Sequence, residues 1–162
     1  MHSLPVGVRQ RLEIPIGLHK LMNAMADAPA LAPEVEAALV QWAKRTHCRL
    51  LVLFGSAAGG RAHAQSDLDI AAVFDPLPDP DRRLRMIGEI QDLCRRAVDL
   101  VFLRDDTNPV LRFEIFRRGR PIHEETAGLF RSEAVRALAL YEDSLPFRKL
   151  LRERLILGAG GK

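Results

Sequence analysis

Cysteine is almost missing from this chain: Cys48 and Cys94 are its only two. Two thiols among ample core residues make a poor disulfide framework, and neither sits in a Cys/His cluster with zinc spacing. Both are read as small buried hydrophobes. Long apolar runs are missing as well. Nothing approaches the ~20 apolar residues that span a bilayer. The N-terminus has no basic region followed by a long apolar core, so no signal peptide is expected. A cytoplasmic protein without membrane contact is the expectation. Charge of one sign is also scarce, with a formal net charge of +3 and arginines dispersed among acids. That excess is too mild to predict direct nucleic-acid binding, and a nucleotide or an acidic partner surface explains it equally well. No repeat or low-complexity segment is present, and His2, His19, His47 and His123 form no ligand constellation.

What is present is one domain's worth of chain, 162 residues that are 48% apolar and 28% charged. It is organised around Leu51–Phe74, LVLFGSAAGGRAHAQSDLDIAAVF. Leu51-Val52-Leu53-Phe54 has strand character and stops at Gly55-Ser56. A small-residue loop follows, then a second strand carrying Asp67-Leu68-Asp69 ahead of Ile70, Val73 and Phe74. Alternation along a strand places Asp67 and Asp69 on one face, with Cα atoms roughly 6.6 Å apart. Two carboxylates so spaced can share one or two hard divalent cations. The Gly-Ser turn is small enough to bring backbone N–H groups and a hydroxyl against a phosphate. Together these parts indicate a metal-dependent nucleotide site.

The rest of the chain reads as helices around a small sheet. Residues 1–33 form an N-terminal extension of unassigned structure. Glu34–Arg45 is a helix, because Val35, Ala38, Leu39, Trp42 and Ala43 fall at i, i+3, i+4, i+7 and i+8. Its acids lie at the start and its bases at the end, in agreement with the helix dipole. The lone Trp42 is therefore read as core rather than as a base-stacking platform. Asp79 caps a helix that starts at Pro80 and runs to about Arg95, burying some of Leu84, Ile87, Ile90, Leu93 and Cys94. Ala97–Leu103 is a third strand, 108–117 a short helix and 120–123 a short strand. Ala127–Leu145 is helical and Pro146 breaks it. A second apolar stripe begins at Phe147, Leu150, Leu151 and Leu155, and residues 158–162 form a tail. The fold class predicted is α+β, a small mixed sheet packed against helices, with the main domain over 34–157.

Gly55-Ser56, ten intervening residues and Asp67-x-Asp69 resemble the signature of the polymerase-β-like nucleotidyltransferase superfamily. That family expects a third carboxylate on a later strand, and Asp99 in Val98–Leu103 fits. Asp92, Asp105 and Asp106 are nearby competitors, but only Asp99 has strand-like neighbours. The short chain and the stretch from Leu111 to Arg120 are most similar to the minimal nucleotidyltransferases (MNT), the MntA-like antitoxins of HEPN/MNT toxin–antitoxin pairs. The resemblance spans about 34–152. It implies the polymerase-β-like fold, with Asp67, Asp69 and Asp99 as catalytic residues and as ligands of Mg²⁺, two ions in all. It further implies Gly55, Ser56, Ser66 and Arg61 as nucleotide contacts, and ATP as substrate. MNT relatives often carry basic side chains just after Gly-Ser, where this chain has Ala57-Ala58-Gly59-Gly60, so Arg61 or His63 would have to reach the phosphates. The basic residues Arg112, Arg117, Arg118 and Arg120 read as a solvated helix face and turn ahead of a nucleotide or partner contact.

The activity implied is transfer of AMP from Mg-ATP to a hydroxyl, a tyrosine in this family, of a cognate HEPN ribonuclease toxin. Two alternatives stay open at this level. One is a nucleotidyltransferase scaffold that neutralises its partner by stoichiometric binding. The other is a small-molecule nucleotidyltransferase, disfavoured because no added substrate-binding region is visible.

Overall fold

The computed structural model describes residues 31–55 and 67–159. The expected extension over 1–33 lies outside them except for residues 31–33. Pro33 already belongs to the first helix, α1 (Pro33–Thr46), with Glu34 and Glu36 in its first turn and Lys44 and Arg45 in its last. His47 ends α1 in the left-handed conformation, at φ 59°. Leu39, Trp42 and Ala43 are its buried residues, three of the five that the helical spacing singled out. Trp42 is fully enclosed, and its indole N–H donates to Glu89 Oε2 at 2.7 Å.

Four strands follow in one mixed sheet: β1 (Leu50–Phe54), β2 (Leu68–Val73), β3 (Val98–Leu103) and β4 (Arg120–Glu124), in spatial order β3-β2-β1-β4. β1 pairs antiparallel with both β2 and β4, while β2 and β3 run parallel. A parallel pair needs a crossover, and α2 (Pro80–Cys94) supplies it. Asp79 caps α2 by accepting the Arg82 N–H at 2.8 Å. The central strand β1 is apolar at every position, as a strand covered on both faces must be.

Helices cover both faces. α1 and α2 close one face over Leu51, Leu53, Ile70, Ala72 and Leu100. The other face carries Leu50, Val52, Ala71 and Leu103, and is closed by α3 (Pro109–Arg118) and α4 (Leu129–Asp143) through Ile115, Phe116, Phe130 and Ala134. A last helix, α5 (Leu145–Ala159), restarts after Pro146 enters its first turn, where a missing N–H costs no helical bond. α5 reaches past residue 157, so the expected boundary between domain and tail lies inside a helix.

Of the α2 residues from which some are expected to be buried, Ile90 and Cys94 are, in a row with Met86, while Leu84 falls off that line and is 71% exposed. Two sequence expectations are corrected here. Arg112 was grouped with a solvated basic face, yet it is a buried charged residue. Its guanidinium donates to Glu133 Oε2 at 2.5 Å and to the Arg104 carbonyl at 2.8 Å, tying α3 to α4 and to the end of β3. Arg117 and Arg120 pair with Glu114 and Glu36, so these arginines form no common basic surface. Finally, β2 starts at Leu68 and not at Asp67. Both cysteines are free and buried, as expected; burial pushes the Cys48 thiol up to about 12.

Candidate functional site

The candidate carboxylates converge at one end of the sheet because two strands begin there side by side. The Leu68 N–H donates to the Ala97 carbonyl at 3.0 Å, locking the start of β2 against the start of β3. In the register that follows, Asp69 stands opposite Asp99 and, on its other side, opposite Phe54 of β1. Neighbouring strands lie about 4.8 Å apart, and paired residues point to the same face. Alternation puts Asp69 on the face of Ala71 and Val73, and Asp99 on the face of Val101 and Leu103, which is the face covered further along by α3 and α4. At the carboxylate end that cover stops. Asp99 is exposed and Asp69 half-buried. Asp99 makes no ion pair among the described residues.

Gly55 completes this corner. It ends β1 with φ +71°, in the left-handed region, and lies against the Asp69 side chain. Only a residue without a Cβ lets the chain turn there while the carboxylate stays in place. Asp67 is exposed and precedes β2 by one residue, so strand alternation no longer fixes its direction. Ser56, Arg61, His63 and Ser66 lie outside the described residues. No group of three or more metal-capable side chains occurs among the described residues.

The competing acids are placed elsewhere. Asp105 pairs with Arg136 at 2.8 Å and Asp106 with Arg104 at 2.7 Å, beyond the far end of β3. Asp92 is an exposed residue of α2. A cleft of about 560 Å³ also opens at that far end, lined by Val73, Leu103, Arg104, Arg136 and the Arg112–Glu133 pair among others. Val73 stands four positions along β2 from Asp69, roughly 13 Å. The cleft touches none of Asp67, Asp69 and Asp99, although Asp105 and Asp106 line it. Its charged side chains are bonded to one another, so the shallow carboxylate corner is the better chemical candidate.

Sequence reasoning missed the placement of Arg112. The signal was available, because Arg112 shares i, i+3 and i+4 spacing with Ile115 and Phe116, both core residues.

Residues 39–127 match the family described as polymerase beta, nucleotidyltransferase. No curated protein matches the sequence. Several solved structures share the fold. One is a toxin–antitoxin crystal structure with AMP-PNP, 24% identical, covering 75% of this chain and 98% of its own, with a TM-score of 0.67. Another is the tri-AMPylated Shewanella oneidensis HEPN toxin in complex with MNT antitoxin, 21% identical, covering 75% and 96%, with a TM-score of 0.63. A third is the MntA-HepT toxin–antitoxin, 21% identical, covering 75% and 97%, also at 0.63. At these identities the likeness is one of fold.

Proposed function

We propose, for a chain that belongs to the polymerase beta nucleotidyltransferase family, that it is an MNT-type antitoxin transferring AMP from Mg-ATP to a tyrosine hydroxyl of a cognate HEPN ribonuclease toxin. The observation that carries this reading is the in-register pair of Asp69 and Asp99 beside the left-handed Gly55. Two carboxylates directly opposite on one sheet face repel, and a divalent cation turns that repulsion into binding. Mg²⁺ takes only one or two carboxylates and completes its shell with water and phosphate oxygens, so this small donor set fits it. Asp69 and Asp99 would hold it, and Asp67, which does not group with them as a third metal-capable side chain, would have to turn toward them to join. When bound, Mg²⁺ supplies neutralisation of charge on the triphosphate.

The chain's own residues have separate tasks in this proposal. Gly55, Ser56, Ser66 and Arg61 hold the phosphates. Asp99, the exposed member of the pair, faces the incoming hydroxyl and accepts its proton. The hydroxyl oxygen bonds to the α-phosphorus while the bond from that phosphorus to pyrophosphate breaks, and pyrophosphate leaves with the electron pair. An AMP group on the toxin adds negative charge and bulk, which would keep RNA from its active site. The neighbouring structures, one with AMP-PNP and one with an AMPylated HEPN toxin, support this choice of nucleotide and acceptor.

The test is intact-mass analysis of the cognate HEPN protein after incubation with Mg-ATP and this chain, wild type or Asp67→Asn/Asp69→Asn. A gain of whole AMP units with wild type alone is expected. Transfer retained by the double variant would refute the assigned carboxylates. A stable complex with no mass gain would favour neutralisation by binding.

A further inference from the structure

Helix α5 exposes every described side chain but that of Arg148, the apolar ones included. Phe147, Leu150, Leu151 and Arg154 follow i, i+3, i+4, i+7 spacing and share one face. That face is turned to solvent: Phe147 is 68% exposed, Leu150 51% and Leu151 49%. Among the described residues, a charged side chain of α5 makes contact with α4. Arg148 is half-buried, lies 3.9 Å from the centre of the Tyr141 ring and donates to the Tyr141 carbonyl at 3.0 Å. With Arg148 the one half-buried residue among the described side chains of α5, a phenylalanine and two leucines outward offer the surface of an interface.

We propose that α5 is a docking helix whose Phe147–Leu150–Leu151 face enters an apolar groove with an acidic rim on the partner protein. Charge selects this occupant. α5 carries Arg148, Lys149, Arg152 and Arg154 against a single acid, Glu153. A second copy of the chain would set this basic helix against itself, whereas an acidic rim pairs with it and steers the encounter. Helix-in-groove recognition uses this anchor spacing. The proposal rests on the reading that the partner is a HEPN protein, and adds the surface by which that partner is held.

The experiment titrates the cognate HEPN protein into the full-length chain without ATP, by calorimetry, with AMP transfer assayed separately. Phe147→Ala/Leu150→Ala/Leu151→Ala is expected to weaken binding roughly tenfold or more, as loss of central apolar anchors does. Arg152→Glu/Arg154→Glu should weaken it as well, and added salt should weaken the wild-type complex. Wild-type affinity in the triple alanine variant, with transfer intact, overturns the docking helix and leaves the transferase reading standing. Neither binding nor transfer by wild type overturns both. A wild-type chain that dimerises alone, when the triple variant does not, overturns the proposal in favour of self-association. A large loss of thermal stability in the isolated triple variant overturns it too, because the face would then be covered by the chain itself.

Discussion

Gly55 lies so close to Asp69 that a methyl group on it would enter the carboxylate: an ideal Cβ at position 55 stands 2.6 Å from Asp69 Cγ and 3.0 Å from Asp69 Cβ. The turn that ends β1 and the side chain proposed to bind metal therefore occupy one tightly shared space. The same glycine has φ +71°, which a side chain resists independently.

Gly55→Ala should consequently fail twice. The left-handed backbone costs about 1–2 kcal/mol for a residue with a Cβ, measurable as a lower midpoint in urea. Displacement of the Asp69 carboxylate by even an ångström should slow AMP transfer by roughly a hundredfold, read in a single-turnover assay. Transfer at the wild-type rate would show that Gly55 does not set the position of Asp69.

Asp99→Asn separates chemistry from stability. Asp99 is exposed and stands opposite another carboxylate, so neutralising it should leave unfolding free energy within about 0.5 kcal/mol of wild type or raise it slightly. AMP transfer should fall by roughly a hundredfold or more if Asp99 holds metal and takes the proton. Denaturation without nucleotide and rate measurements with it check the two halves. A stability loss matching the activity loss would make Asp99 structural.

The Arg112–Glu133 pair has the opposite character. Arg112 is 3% exposed, and its Nε has no hydrogen-bond partner among the described residues. Arg112→Met leaves the part-buried Glu133 with only Arg136, 3.9 Å away, and should cost up to about 3 kcal/mol in urea denaturation. Arg112→Met combined with Glu133→Leu removes both charges and should cost clearly less. Equal costs for the single and double variants would mean the two residues are not coupled.

Acid should uncouple α1 from β4. The fork of Arg120 donates to both oxygens of Glu36, at 2.7 and 3.0 Å, and this hydrogen bonding, aided by the Arg120 charge against a burial penalty, holds the Glu36 carboxyl below its ordinary 4.5. A carboxylate with a depressed pKa in the folded state stabilises the protein above the unfolded value. That contribution disappears as pH falls through the folded value. Wild type should exceed Glu36→Gln by about 1 kcal/mol at neutral pH, and the gap should close as the pH falls from the ordinary 4.5 through the lowered folded value. Urea midpoints taken down the pH scale test this. A constant gap would locate the effect outside the ion pair.

Local chemistry made much of this molecule legible. The spacing of Leu39, Trp42 and Ala43 marked α1 and its buried stripe, and Asp79-Pro80 marked the start of α2. Pro146 separated α4 from α5, and the apolar runs at 51–54 and 98–103 marked strands. Each of these signals lies within a few residues of chain, where propensity, capping and alternation act directly. The ends of the elements shifted by a residue or two, as at Asp67, because a strand ends where its neighbour stops bonding to it.

The sequence by itself determined which segments are helix and strand, and it supplied a glycine and three aspartates in an order that resembles a nucleotidyltransferase. Only the tertiary structure decided that β3 lies parallel beside β2, which sets Asp99 opposite Asp69 and sends Asp105 and Asp106 to the far end. It also decided that Arg112 is enclosed, that Leu84 is not, and that the apolar face of α5 looks outward. The physical reason is common to all of these. A residue's neighbours across a sheet, and the face of a helix that another element covers, are set by contacts between segments far apart in the chain, which local spacing does not encode.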